Sequence, residues 1–150
     1  MEKIDLFRMI HFGGVAVYGA ILVGSCLGLA LSRDPTKRSR RMKRFLTLGP
    51  LLGLSMGAII GGAVGLHYLA FNGFHWPESA AASQEYGLKY GLFAVLWISH
   101  FHLEIWTQEP LRQQQNATPK ASSWSHESSK VWKQMALNSA LFLGLVGLSL

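Results

Sequence analysis

Residues 9–31 read MIHFGGVAVYGAILVGSCLGLAL, twenty-three positions without Asp, Glu, Lys or Arg and with one histidine, His11. A surface helix of a soluble domain carries an apolar stripe, whereas about 30 Å of bilayer hydrocarbon calls for about 20 consecutive apolar residues. The stretch predicts a membrane-spanning helix. A cleavable signal peptide is the other reading, but its apolar region runs to about 7–15 residues. The residues before this stretch, Glu2, Lys3, Asp5 and Arg8, are also mixed in sign.

Three more such stretches lie further along. Residues 45–71 are apolar with Pro50 near the start, where a missing N–H is least costly because first-turn donors lack helical partners. Residues 86–106 are the most polar of the four, with Lys89, His100, His102 and Glu104, so one side is expected to face protein. Residues 131–150 are short but adequate. The expected fold is all-α, a single four-span membrane domain (1–150) whose spans are 9–31, 45–71, 86–106 and 131–150. Residues 32–44 and 107–130 form its inner loops. The second loop shows no apolar period and reads as a mobile or docking segment.

Composition agrees with this order. The 150 residues are 49% hydrophobic and 15% charged, against about 25% charge in ordinary globular chains. A soluble enzyme, a disulfide scaffold and a disordered tail are excluded, and a lone cysteine, Cys26, leaves no intramolecular disulfide. No phosphate loop, nucleophile elbow or HExxH motif appears.

Sidedness follows from Lys and Arg, which concentrate in short cytoplasmic loops. Arg33, Lys37, Arg38, Arg40, Arg41, Lys43 and Arg44 crowd the first connection, while residues 72–85 have Glu78 and Glu85 and no Lys or Arg. The first loop is therefore inside and both termini outside, with Trp76 at the outer interface and Trp106 and Trp132 at the inner one. The expected partners are membrane lipids, with anionic headgroups at the basic loop, and other membrane subunits. Nucleic acid is not expected, because the basic run lacks interleaved aromatics for base stacking. The glycosylation pattern Asn116-Ala117-Thr118 would face the cytoplasm and is set aside. The expected location is a bacterial inner membrane or an organellar one.

Eleven of the sixteen glycines fall in the first two stretches, and Gly49, Gly53, Gly57, Gly61 and Gly65 keep a four-residue beat answered by Ala16, Ala20, Gly24 and Gly28. Such ladders let helix backbones approach closely where lipid offers no hydrophobic drive. They predict an antiparallel hairpin of the first two spans; the other reading sets a ladder against a second subunit or the flat face of a tetrapyrrole or carotenoid.

At about 1.5 Å per residue, His11, His67 and Lys89 sit at one outer level, and His100, His102, Glu104 and Asn138 mark an inner one. Two neutral imidazoles from adjacent helices clasp a b-type haem inside a bundle, so His11 and His67 are the candidate metal ligands for haem b or another tetrapyrrole. His100 and Glu104, four residues apart, suit a metal, a proton relay or a quinone headgroup, with His102 beside them. The plainer alternatives are a neutral interfacial histidine bonded to a carbonyl, Lys89 paired with Glu85, and Glu104 paired with first-loop arginines.

Met9-Ile10-His11-Phe12-Gly13-Gly14, Arg40-Arg41-Met42-Lys43-Arg44 and Leu88-Lys89-Tyr90 resemble the small four-helix bacterial membrane family of haem-binding protoporphyrinogen oxidases known as HemJ, and also the membrane part of the CopD copper-resistance proteins. The resemblance implies functional roles for His11 and for Lys89, the candidate catalytic residue, and it places histidines near His100-Phe101-His102. It extends over about residues 5–112; the fourth stretch departs from it, with Gln134 and Asn138 and no Asn-Glu pair. Three functions stay open: a haem-binding membrane subunit of an electron-transfer or energy-converting complex, a protoporphyrinogen oxidase, and a structural accessory subunit.

Overall fold

The computed structural model describes residues 2–73, 77–116 and 121–148, with the side chains of 114–116 and 121–126 outside that description. Trp76, the expected outer-interface residue, and Ala117-Thr118 of the glycosylation pattern lie outside the described residues. The described residues are all-α, without a strand: α1 (Lys3–Ala30), α2 (Pro35–Thr47), α3 (Gly49–Phe71), α4 (Ala80–Phe101), a π-helical segment (His102–Gln108), α5 (Glu109–Asn116) and α6 (Ala121–Gly147). Two of these, α1 and α3, are long and apolar enough to cross a membrane.

Local chemistry explains the boundaries. The Asp34 carboxylate accepts the backbone N–H of Thr36 at 2.8 Å and Pro35 occupies the first turn, so α2 starts there. The connection at residues 32–44 is thus largely helical, with Met42, Phe45 and Leu46 buried and its basic residues exposed. This transfers residues 45–47, expected in the second span, to α2. The chain then breaks at Leu48, because Pro50 has no N–H to offer the Leu46 carbonyl. Arg112 of α5 supplies the missing donor, its Nε reaching Leu46 O at 3.2 Å. At the far end of α3, Asn72 adopts φ 52°, and the N–H of Gly73 closes on Tyr68 O at 3.0 Å. Ser79 caps α4 by accepting the N–H of Ala82 at 3.3 Å.

Residues 107–130 do not form a loop in their described parts; α5 and the first turns of α6 occupy them. The absence of apolar periodicity misled there, because helices of polar composition held at one end by packing need no stripe. The π segment before α5 has a specific cause: Pro110 cannot donate, and its ring would strike the carbonyl of residue 106. Widening the preceding turn, so that Glu109 N–H reaches back five residues to Glu104 O, makes room.

α1 and α3 pack antiparallel, as the hairpin expectation has it, but of the predicted α3 ladder Gly65 meets α1 while Gly49 and Gly53 face Arg112 and Glu104. A methyl group at Gly14 would lie 2.8 Å from Ser55 O, one at Gly62 would lie 2.6 Å from His11 Cβ, and Gly65 sits under the Phe7 ring. By contrast, Gly24, Gly57 and Gly61 have open space beside them. The close approach runs through Gly14 and Gly62, two glycines off the regular beat. α6 closes the other side, where Phe142 fills the space over Gly19 and packs against the ring of Tyr18 at 5.3 Å. Tyr18, Leu22, Phe45, Leu52, Leu96, Leu103, Leu111, Val131 and Met135 form the buried core.

Candidate functional site: an outer cavity and an inner polar column

The inward face of α4 carries Tyr86, Tyr90, Phe93, Leu96 and His100 at helical spacing, and α1 answers with His11, Val15 and Tyr18. The outer halves of these faces, with the end of α3 and the last turns of α6, enclose a cavity of about 800 Å³. It is lined by His11, His67 and Lys89 together, so three residues placed at one level by sequence depth reach one space from three helices. Phe12, Val15, Ile60, Val64, Phe93 and Leu145 make most of the remaining wall apolar. A concave, mostly apolar chamber with a few convergent polar groups is the general form of a small-molecule site, typically about 300–1,000 Å³.

The two histidines are held differently. His11 Nδ1 lies 3.0 Å from Ile59 O. A carbonyl only accepts, so Nδ1 carries the proton and the lone pair of the neutral ring sits on Nε2. The same second bond fixes the tautomer of metal-bound histidines. His11 is also seated by its backbone, which rests on Gly62. His67 bonds the Tyr90 hydroxyl through Nδ1 at 2.9 Å and is surrounded by the rings of Phe71, Tyr86 and Tyr90 at 4.8, 6.2 and 6.0 Å. Its neighbour is therefore α4, while His11 is tied to α3.

Lys89 pairs with Glu85 at 2.7 Å, the plainer of its two sequence readings, and both residues stay on the cavity rim. A partly exposed pair of this kind contributes about 0–1 kcal/mol to stability, so its position at the mouth matters more than its strength.

The inner level divides. His100 is 3% exposed, its Nδ1 lies 3.4 Å from the Tyr18 hydroxyl, and its Nε2 lies 3.8 Å from Glu104 Oε2. The structure thus brings His100 and Glu104 together. His102 is exposed on another side of the helix, since two residues advance about 200°. Among the described residues Glu104 lies beside His100 and makes no ion pair with a first-loop arginine. None of the three lines the outer cavity. Beside them, Gln134 and Asn138 of α6 both reach Ser99: Gln134 Nε2 donates to Ser99 Oγ at 2.7 Å, Asn138 Nδ2 donates to Ser99 O at 3.3 Å, and the Ser99 hydroxyl donates to Asn138 Oδ1.

Sequence reasoning missed Tyr18 and Tyr90, the hydroxyls that hold His100 and His67. Tyr18 had a signal, standing seven residues after His11 on the same helix face; Tyr90 directly follows Lys89, about 100° around the helix, and had none of that kind. Among the described residues no three His, Cys, Asp or Glu side chains converge as a metal cage. Comparison with protein-family models, curated proteins and solved structures finds no match to this chain.

Proposed function

We propose that the chain is a four-span integral membrane subunit, with both termini outside and the basic α2 inside, that holds a b-type haem or related tetrapyrrole in the outer cavity. α4 and α6 join α1 and α3 as the spans of this reading. The support for them is the apolar surface they turn outward: Leu88, Val95 and Ile98 on α4 and Leu137 and Leu143 on α6 are exposed. Contiguous exposed apolar surface of this kind seeks lipid or protein cover. Trp106, 71% exposed at the inner end, fits an interfacial ring.

The observation that carries the cofactor reading is the shared cavity of His11, His67 and Lys89. The residues fit the group: a macrocycle supplies most of the iron's ligands, so one or two imidazoles suffice, and the apolar aromatic wall suits a flat, greasy ring. His11 presents the ligating tautomer. Bound haem would supply one-electron chemistry; His11 and His67 would hold it, the apolar wall would cover its ring, and the Lys89 ammonium could pair with a carboxylate.

The test is spectroscopic. The chain purified in detergent from cells supplied with a haem precursor is expected to show a Soret band whose reduced-minus-oxidised spectrum changes in His11→Ala and His67→Ala. A colourless preparation refutes the reading. Lys89 on the same wall as His11 favours a second reading, the haem-dependent protoporphyrinogen oxidase, in which Lys89 holds the porphyrinogen carboxylates; oxidation of protoporphyrinogen by wild type and its loss in Lys89→Met would select it. Stable co-purification with larger subunits and no cofactor would select the structural accessory role instead.

A further inference from the structure

Below the outer cavity lies a second set of ionisable groups that cofactor binding does not use. Leu96 and Phe142 belong to the cavity wall. Phe142 stacks on Tyr18, and His100 follows Leu96 by one turn of α4, so the Tyr18 and His100 pair stands directly behind that wall. From there the groups step inward: Tyr18 hydroxyl to His100 Nδ1 at 3.4 Å, and His100 Nε2 to Glu104 Oε2 at 3.8 Å. Tyr18 is 0% exposed, whereas the Glu104 side chain is 27% exposed. The column thus runs from a fully buried end beside the cavity to a partly exposed end at Glu104.

We propose that Tyr18, His100 and Glu104 form a proton-uptake site, opening through Glu104 to the inner face, that takes in one proton when the cofactor of the outer cavity is reduced. This rests on the cofactor reading above. Three further observations support it. Ionisable groups are costly within a bilayer and mark proton relays and ion paths there. Gln108 Nε2 and Ser139 Oγ, both buried in the inner half, have no partner among the described residues, and buried polar atoms of this kind are satisfied by ordered water. The π-helical turn that starts at His102 carries Glu104 itself, and π turns inside helices concentrate at functional sites.

The charge balance is one for one. For each electron that an external reductant would give a bound cofactor, one proton from the inner aqueous phase would pass by way of the Glu104 carboxylate and a bridging water, across the 3.8 Å gap, to His100 Nε2. That step requires the His100 tautomer with Nδ1–H directed at the Tyr18 hydroxyl oxygen. Across the low-dielectric wall the new positive charge offsets the added negative one. Among the described residues, the groups that bear on His100 from the elements around it are Tyr18 of α1, Glu104 on the π segment and Arg112 of α5, whose charge acts on Glu104; α3 places Gly53 beside Glu104, and α6 the neutral Gln134 and Asn138 at Ser99.

The test uses the haem-loaded chain in detergent, reduced with dithionite. The midpoint potential is expected to fall with rising pH by up to about 59 mV per unit, the one-electron equivalent of a tenfold change in proton concentration. In His100→Phe the slope should flatten with the Soret band retained. In Glu104→Gln the slope should persist while stopped-flow proton uptake after reduction slows tenfold or more. Tyr18→Phe keeps the ring that packs on Phe142 and provides a second variant; without the hydroxyl, the pH range of the slope should move. A Soret band with a pH-independent potential in wild type, or with a slope that both His100→Phe and Tyr18→Phe leave unchanged, overturns the proton site and spares the cofactor. A preparation lacking the Soret band overturns both.

Discussion

Adjacent glycines on α3 should respond in opposite ways to the same substitution. At Gly62 a methyl group would stand 2.6 Å from His11 Cβ and 2.7 Å from its Cα and backbone nitrogen, so the obstacle is main chain that no rotamer change removes. Carbon atoms settle at about 3.5–4.0 Å, so Gly62→Ala must push α1 from α3 by about 1 Å. Overpacking of this kind costs about 1–3 kcal/mol. The same displacement would stretch the 3.0 Å contact of His11 Nδ1 with Ile59 O toward 4 Å, beyond hydrogen-bonding range. Losing that bond adds about 0.5–1.5 kcal/mol, for a total of about 2–4 kcal/mol. Gly61 has nothing within 4 Å of the same added atom, so Gly61→Ala should be neutral or gain from the better helix propensity of Ala, by up to about 1 kcal/mol. The assay is reversible unfolding in mixed micelles of increasing denaturing detergent, read by circular dichroism. Equal midpoints for Gly62→Ala and wild type would refute the α1 and α3 packing; so would a Gly61→Ala variant as damaged as Gly62→Ala.

Two further outcomes follow from the packing and the proposed topology. Asn138→Leu removes both of its bonds to Ser99 while leaving Gln134 in place, and interhelical polar contacts in membranes average about 0.6 kcal/mol each; the same unfolding assay should therefore show a loss of about 1 kcal/mol, and a loss above 3 would mean that α6 relies on this one side chain. In intact cells or right-side-out vesicles carrying Cys26→Ser, an impermeant maleimide should label Ser79→Cys and leave Lys37→Cys untouched; the reverse pattern would invert the orientation.

The existence of the helices was legible because apolar runs of membrane length leave few alternatives, and the outer level was legible because depth along a helix scales with residue number. His11, His67 and Lys89 meet in one cavity for that reason. The azimuth of each side chain was less accessible. The four-residue beat of Gly49 to Gly65 is the most regular pattern in the chain, yet Gly57 and Gly61 face open space and the backbone contact falls on Gly62. A step of four advances 400°, so a strict ladder drifts around its helix and no single neighbour can follow it. The same uncertainty grouped His102 with His100, two residues away and about 200° around the axis. The segment at 107–130 was illegible for a different reason. Its helices are polar, and α5 is fixed by Arg112, whose reach to Leu46 O depends on a proline in another helix.

That dependence explains why the most polar candidate span is also the one with the most organised interior. α4 carries the groups that weaken its apolar character: Lys89 and Glu85 at the cavity rim, Tyr90 bonded to His67, Ser99 bonded to α6, and His100 bonded to Tyr18. Each of these polar atoms meets a partner on its own helix or on a packed neighbour, while Leu88, Val95 and Ile98 occupy the outward side. A helix with one polar, fully engaged face and one apolar face has a lower average hydropathy than a simple anchor, but its polar groups need not meet hydrocarbon. Average hydropathy ranks helices by how little they do inside the bundle. α1 and α3 pass that measure readily because they contribute packing surface and one imidazole each to the cavity; α4 falls short of it because its inner face carries Lys89, Tyr90, Ser99 and His100. Replacing the partners of that face, rather than its exposed apolar residues, should therefore be what detaches α4 from the bundle.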